Sequence, residues 1–251
     1  MEAAATTHLY SNWSFWTVLV SAIAVILSQL PPVRLWFKKA KLDIEMYSKI
    51  SITHKVGNPN LQIHLVVNNI GGRKVRIKGI TASITKDGKL ITTLPAQNYL
   101  ESQNGQNTLL FTPFSLNPSE EWAHIINLLN FFNREDEQEY RKLEAKMLTN
   151  YRSKKSTSSP ESQDLIEIDE NLVQPFHSFF EKHFIWGTGE YQLTVNINTD
   201  HKTTNISKEY RFTIFESHTD QLKEITDKYK FGDGIWWNSV LASVIIDIKE
   251  A

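Results

Sequence analysis

Hydrophobic positions in this chain form one long run near the N-terminus and afterwards alternate with polar positions. From Trp13 to Val33 no residue is charged, in the stretch WSFWTVLVSAIAVILSQLPPV. At about 1.5 Å rise per residue, a helix of this length covers roughly 31 Å, the hydrocarbon thickness of a bilayer. Trp16 and Trp36 stand near the two ends, where indole rings favour the headgroup interface. The run therefore predicts a single transmembrane helix over 13–33.

The flanks of this run predict its orientation. The tail before it, residues 1–12, has no Lys or Arg and so lacks the basic region of a cleaved signal peptide. The segment after it, residues 34–41, is basic, and cytoplasmic flanks carry the positive excess. We therefore expect a retained anchor in the plasma (inner) membrane, with the N-terminus outside and the rest of the chain in the cytoplasm. The residues expected to contact the membrane surface are Arg34, Trp36, Lys38, Lys39 and Lys41.

One face of the predicted span carries small residues at helical spacing. These residues are Thr17, Ser21, Ala24 and Ser28. Small side chains let transmembrane helices approach closely, and hydroxyl groups can hydrogen-bond between helices. The stripe predicts self-association of the span, although Ser, Thr and Ala are also common in spans that stay single.

Beyond the basic segment the apolar residues recur with period two, which is typical of half-buried strands. Leu42, Ile44 and Met46 alternate with polar residues, and the same pattern returns in LQIHLVV and most clearly in GEYQLTVNIN. Between such stretches, Gly-, Asn- and Asp-containing segments predict turns, and a change of parity predicts a β-bulge. The predicted turns are GNPN at 57–60 and Asp87-Gly88, and the predicted bulge is at Gly79.

Helical spacing interrupts the strands between residues 117 and 186. The stretch Asn117-Pro118-Ser119-Glu120 has the residues of a helix N-terminus, and apolar residues then recur every three or four positions to Phe132. Residues 152–164, RSKKSTSSPESQD, have the composition of a flexible linker. Residues 217–251 are expected to form a C-terminal helical tail packed on the strands.

Two stretches resemble immunoglobulin-like (Ig-like) domains. GEYQLTV resembles the strand of these domains that carries the tyrosine corner, with Tyr191 two residues before a core position. Leu193 stands where antibody domains place a cysteine, and the chain contains no cysteine, so an inter-sheet disulfide is excluded. The stretch VVNNIGGRKVRIKGI resembles the asparagine-glycine turn of many prokaryotic Ig-like modules. The expected fold is therefore mainly β: an N-terminal transmembrane helix followed by an Ig-like antiparallel β-sandwich over 42–216, with a helical insertion over 117–186 (α+β overall).

The amino-acid composition excludes several classes of function but does not identify the function. The 251 residues include 27 Lys and Arg against 28 Asp and Glu, so no global basic field favours nucleic acid as a partner. Without cysteine, thiolate metal sites and cysteine nucleophiles are excluded. His177, Glu181 and His183 lack the H-E-x-x-H spacing of a zinc site and are more typical of a structural helix. We expect no catalytic motif, no metal site and no cofactor.

A basic strand face is the candidate binding site. Lys74, Arg76 and Lys78 alternate with apolar residues, so they share one exposed face, and Arg73 precedes them. Such a face can bind a phosphate, a nucleotide or an acidic partner, although outer strand faces are commonly only solvated.

These patterns favour a single-pass, membrane-anchored, non-enzymatic binding or sensor module. Its cytoplasmic sandwich would recognise a protein or a small ligand. The expected partners are the lipid bilayer and a protein partner or further copies of the chain in a homo-oligomer. One alternative is a membrane-disrupting effector of a prokaryotic immune (anti-phage) system that oligomerises through its transmembrane helix. Two further alternatives are an exported subunit of an envelope complex and a membrane-tethered enzyme.

Overall fold

The chain is mainly β, with a few helices attached to its strands. The computed structural model describes residues 13–29, 38–102, 107–157, 165–238 and 242–251. The strands are β1 (Leu42–Lys55), β2 (Asn58–Asn69), β3 (Val75–Lys86), β4 (Lys89–Leu100), β5 (Thr108–Leu110), β6 (Phe114–Leu116), β7 (Glu121–Leu129), β8 (Gly189–Thr199), β9 (Ile206–Ile214), β10 (Ser243–Asp247) and β11 (Lys249–Glu250). The helices are α1 (Trp13–Gln29), α2 (Arg134–Thr157), α3 (Glu170–His183) and α4 (Glu216–Lys223), with 3-10 helices over Lys202–Thr204 and Glu224–Phe231.

The strands form two antiparallel sheets that share β4. The first sheet has the order β10-β1-β2-β7-β4, and the second has the order β4-β3-β8-β9-β11. Strand β4 pairs with β3 as far as Pro95 and with β7 from Ala96, so it crosses from one sheet to the other. At the far edges, β10 pairs with β1 and β11 pairs with β9. Because only Ile248 separates β10 from β11, this C-terminal segment joins the two outer edges of the sandwich.

The main core lies between the two sheets and follows from the alternation in the strands. In β2 the inward residues are buried, and the polar residues between them are half-buried on the outer face. Its buried residues include Leu61, Ile63, Leu65 and Val67. Each such side chain contributes roughly 1.5–3 kcal/mol by leaving water. A second apolar cluster packs α2, α3 and the 3-10 helix Glu224–Phe231 against the β1–β2 turn; it includes Val56, Tyr140, Met147, Phe176, Phe179, Phe180 and Tyr229.

The predicted turn at Asp87-Gly88 and the predicted bulge at Gly79 are confirmed. Asp87 (φ 50°) and Gly88 (φ 73°) form a two-residue turn between β3 and β4, with both residues in the left-handed conformation that such turns require. The register between β3 and β8 shifts between Ile77 and Gly79. The turn predicted at 57–60 lies slightly earlier, at Val56 and Gly57 (φ 47° and 84°).

The helix predicted over 117–132 is wrong, because this segment contains strand β7. β7 lies between β2 and β4 and turns Ile126 and Leu128 into the core. Ser119 has a positive φ of 63°, and the backbone N–H of Asn117 donates to Glu120 Oε2 at 2.6 Å. The residues that suggested a helix N-terminus therefore form a tight turn before a strand. The helical insertion begins at α2 instead.

Two further predictions need correction at their boundaries. Helix α2 continues to Thr157, so the first part of the predicted linker over 152–164 is helical, while residues 158–164 lie outside the described part. In the predicted helical tail over 217–251, helix ends at Phe231 and the last described segment forms β10 and β11. Val244 and Ile246 are buried on one face of β10, which is the alternation of a strand pairing with the open edge of β1.

Helix α1 covers much of the predicted transmembrane run. It comprises 17 residues, and residues 30–33 of the predicted span lie outside the described part of the chain. Among the described residues, no helix is long and apolar enough to cross a membrane. The span over 13–33 is thus not confirmed and stays a prediction.

A candidate basic surface at one end of the sandwich

The predicted basic face lies at the beginning of β3. Arg73, Lys74, Arg76 and Lys78 are all exposed, while Val75 and Ile77 between them are buried in the core. Lys78 is the extra residue of the bulge, since its two neighbours pair with Thr199 and Asn198. Among the described residues, none of these four cations has a carboxylate partner within ion-pair distance. Their charges are therefore directed at solvent or at a partner.

The basic segment that precedes β1 packs against the turn that precedes β3. The backbone N–H of Gly71 donates to Lys41 O, and that of Gly72 donates to Lys39 O, both at 3.0 Å. A Cβ on Gly71 would lie 2.4 Å from Lys41 N and 2.5 Å from Lys39 O, so this approach requires glycine. The contact places the exposed Lys38, Lys39 and Lys41 beside Arg73.

A buried asparagine fixes the turn that carries Arg73. The side-chain amide of Asn69 donates to Arg73 O at 2.9 Å and to Leu116 O at 3.0 Å. Its Oδ1 accepts the backbone N–H of Gly71 at 3.1 Å. With both ends of its amide bonded, Asn69 holds the turn in one conformation and satisfies polar groups that the fold buries.

A third segment adds one more cation. The N–H of Asp200 donates to Arg76 O at 3.1 Å, which brings the 3-10 helix with the exposed Lys202 next to β3. We define the basic surface as Lys38, Lys39, Lys41, Arg73, Lys74, Arg76, Lys78 and Lys202. The nearby carboxylates are Asp43, Glu120, Glu121 and Asp200. Cations outnumber carboxylates here, so the surface has a positive potential although the whole chain is nearly neutral.

The remaining predicted contact residues are on α1 or outside the described residues. Arg34 and Trp36 lie outside them. On α1, Thr17 Oγ1 donates to Trp13 O at 3.0 Å and Ser28 Oγ donates to Val25 O at 2.7 Å. These hydroxyl groups thus bond within their own helix, and Ser21 and Ala24 are exposed between them. Self-association through this stripe stays a prediction.

A histidine whose pKa is perturbed by burial lies at the other end of β2. His54 is buried beside the β1–β2 turn, and its Nδ1 accepts the N–H of Gly57 at 3.1 Å, so its Nε2–H donates to Leu222 O at 2.8 Å. Burial lowers the pKa of His54 and keeps its ring neutral. This histidine joins the turn to the C-terminal helices and has a structural role.

A second perturbed group joins α2 to α3. Asp136 is buried, and the hydrogen bond from Lys182 lowers the pKa of its carboxyl group, while burial lowers the pKa of His183 beside it. Within the described part of the chain, no group of three or more His, Asp or Glu residues could hold a metal ion. His177 and Glu181 lie on α3 with His183.

Sequence reasoning identified the two halves of the basic surface but not their contact. It also missed Asn69 and Lys202. The sequence signal for the contact is the Asn69-Ile70-Gly71-Gly72 stretch, where adjacent glycines allow close approach of another backbone segment. Which segment approaches is determined by the pairing of β1 with β2, which brings Leu42 opposite Asn69.

No protein-family model matches the chain, and no curated protein matches its sequence.

Proposed function

We propose that the chain is a membrane-tethered, non-enzymatic binding module whose basic surface lies against anionic lipid headgroups. The observation that carries this proposal is the contact of Gly71 and Gly72 with Lys41 and Lys39. It brings the cations of the 38–41 segment beside those at the beginning of β3, at the end of the sandwich where the chain arrives from α1. Each Lys or Arg near an anionic bilayer contributes about 1 kcal/mol, and this attraction falls off within a Debye length of about 10 Å.

Helix α1 supports the tether. Its sequence has no charged residue, and its side chains from Trp13 to Ser28 are all exposed. A helix that is apolar all round favours an apolar environment on every side. With the basic segment following it, the proposed orientation has the N-terminus outside and the sandwich in the cytoplasm, at the plasma (inner) membrane. The sandwich would then recognise a protein or a small ligand near the bilayer.

The strand order supports an Ig-like sandwich. In chain order, β1, β2, β3, β4, β7, β8 and β9 correspond to strands A to G, because β1-β2-β7-β4 has the order A-B-E-D and β3-β8-β9 has the order C-F-G. Tyr191 near the start of β8 shares its one hydroxyl hydrogen between Gly187 O at 2.6 Å and Ile185 O at 3.0 Å. This contact supports the proposal of a tyrosine corner at the start of strand F. Helices α2 and α3 are then an insertion between strands E and F.

A homo-oligomer formed through α1 is the second part of the proposal. A shallow groove runs along the helix beside Thr17, Ser21 and Ala22. A second α1 seated there would approach closely, as helices with small residues do. The membrane-disrupting effector function would require this assembly.

Energy transfer to labelled headgroups tests the orientation of the sandwich. A single cysteine is introduced at Thr203, beside the basic surface, or at Lys89, at the opposite end of β3; ten strand residues separate such positions by about 33 Å. The full chain is labelled and reconstituted into vesicles that contain phosphatidylserine and a headgroup acceptor. We expect higher transfer from position 203 than from position 89, and a decrease at 203 in about 1 M salt, where the Debye length is about 3 Å. Equal transfer from both positions, or higher transfer from 89, would contradict the proposal.

A further inference from the structure

A second candidate site lies far from the basic surface, over the end of the β1–β2 hairpin. The hairpin, residues 129–132, the beginning of α2 and residues 234–238 line an open cavity of about 650 Å³. This volume lies within the range of about 300–1,000 Å³ that is typical of small-molecule sites.

The walls of this cavity are rich in aromatic rings. Phe131 and Trp237 are 75% and 41% exposed and stand at its rim, with Phe132 and Trp236 beside them. Trp237 Nε1 donates to Phe231 O at 3.1 Å, which fixes the position of its indole. Gly232 has a φ of +80°, and a Cβ on it would lie 1.9 Å from the Trp236 ring. The wall is therefore held in place before any ligand arrives.

Two cations, Arg141 and Lys55, line the cavity, and they differ in their ion pairs. Arg141 is held by Glu137 at 2.7 Å and Glu144 at 3.0 Å, so its charge is compensated. Lys55, by contrast, makes no ion pair with a described residue; its Nζ lies 5.4 Å from the centre of the Tyr140 ring. Lys55 is therefore the cation of the cavity wall that has no carboxylate within ion-pair distance among the described residues.

Two polar atoms of residues in the wall also lack partners. Asn60 Oδ1 and the Tyr229 hydroxyl are shielded from solvent and make no hydrogen bond with the described residues. Both residues line the cavity. Because both atoms are covered by the protein itself, a ligand in the cavity does not reach them, and recognition depends on the aromatic rim and on Lys55.

We propose that this cavity binds a small planar aromatic ligand that carries an anionic group. The aromatic part lies between Phe131 and Trp237, and the anionic group binds Lys55. Stacking geometry favours a flat ring over an aliphatic chain at this rim. The inference rests on the proposed binding role of the sandwich and is independent of its attachment to a membrane.

Calorimetry with matched probes tests this inference on the full chain in nanodiscs of neutral lipid. The probes are adenosine monophosphate and indole-3-acetate, each compared with its uncharged analogue, adenosine or indole-3-acetamide. A hydrogen bond to a charged group predicts about tenfold tighter binding of each anion than of its neutral analogue. Lys55→Gln should remove this difference, and Phe131→Ser should weaken all binding.

The control variants are Lys89→Gln and Phe215→Ser, which change exposed residues of the same types away from the cavity. They should bind the probes as the unmodified chain does. The proposal is overturned if neither anion binds, or if Lys55→Gln and Lys89→Gln give equal affinities. Membrane attachment is measured separately from probe binding. A chain that does not bind the probes can therefore still attach to the membrane, and a chain that does not attach can still bind the probes.

Discussion

Replacing Gly71 by Ala tests the contact that assembles the basic surface. The added Cβ would meet Lys41 N at 2.4 Å and Lys39 O at 2.5 Å, closer than carbon atoms approach backbone atoms. Since both neighbours are backbone atoms, no side-chain rotation relieves the clash. The segment over 38–41 must therefore move away from the turn, while the core between the sheets keeps its packing.

The size of the effect follows from the bonds that are lost. Two backbone hydrogen bonds, from Gly71 and Gly72, break together, and each contributes about 0.5–1.5 kcal/mol net. We expect Gly71→Ala to lower the free energy of unfolding by about 2 kcal/mol. For a domain of this size, the melting temperature falls by about 4–8 °C.

Gly79→Ala is the matched control for this substitution. A Cβ on Gly79 meets nothing within 4 Å, and so the same change of residue type adds no clash there. Its free energy of unfolding should stay within about 1 kcal/mol of the unmodified chain, on the stabilising side, because alanine restricts the unfolded chain.

The assay combines thermal unfolding, followed by circular dichroism, with limited trypsin digestion of the full chain. Gly71→Ala should melt earlier than Gly79→Ala and should be cleaved faster at Lys38, Lys39 and Lys41. If the two variants melt together and are cleaved at equal rates, the segment is not held by the turn and the reasoning is refuted.

Two further predictions concern the stability of the sandwich. Tyr191→Phe removes the hydroxyl that bonds Gly187 O and Ile185 O, so urea denaturation should show a loss of about 1–3 kcal/mol; an unchanged midpoint would contradict a stabilising role of this hydroxyl. Burial lowers the pKa of His54 below its ordinary value of 6.5, so the unfolded chain takes up a proton there before the folded chain does. Stability is therefore full above pH 6.5 and should fall as the pH drops below it, by at most about 1.4 kcal/mol per pH unit for this group. His54→Gln should flatten that dependence in urea titrations between about pH 7.5 and 5.5, and an equal slope in both proteins would exclude His54 as its source.

Most strands could be predicted because burial alternation is a local property of the sequence. β2 and β8 carry their buried residues at every second position, and the Asp87-Gly88 turn has the residues that a two-residue hairpin requires. β7 was missed because its apolar residues fit both a helical and an alternating pattern. This segment is a strand because it pairs with β2 on one side and with β4 on the other. Both partners are distant in the sequence, so the local pattern does not show the pairing.

The basic surface could be predicted only in parts. Lys74, Arg76 and Lys78 follow from strand alternation, and the lysines of the 34–41 segment follow from their position after an apolar run. The contact between these two groups of cations depends on the register of β1 against β2 and on the absence of a Cβ at Gly71. The cavity at Lys55 was also not predicted, because its wall joins residues of the β1–β2 hairpin to residues near the C-terminus.

Flotation of the full chain with liposomes after an alkaline carbonate wash tests the membrane tether most directly. The account predicts that the chain floats with the lipid, because the proposed function places α1 in the hydrocarbon layer. The double variant Val20→Arg, Ile23→Arg should stay at the bottom of the gradient, and the apolar control Val20→Leu, Ile23→Leu should float. Recovery of the unmodified chain at the bottom, or flotation of the double-arginine variant, would contradict the account.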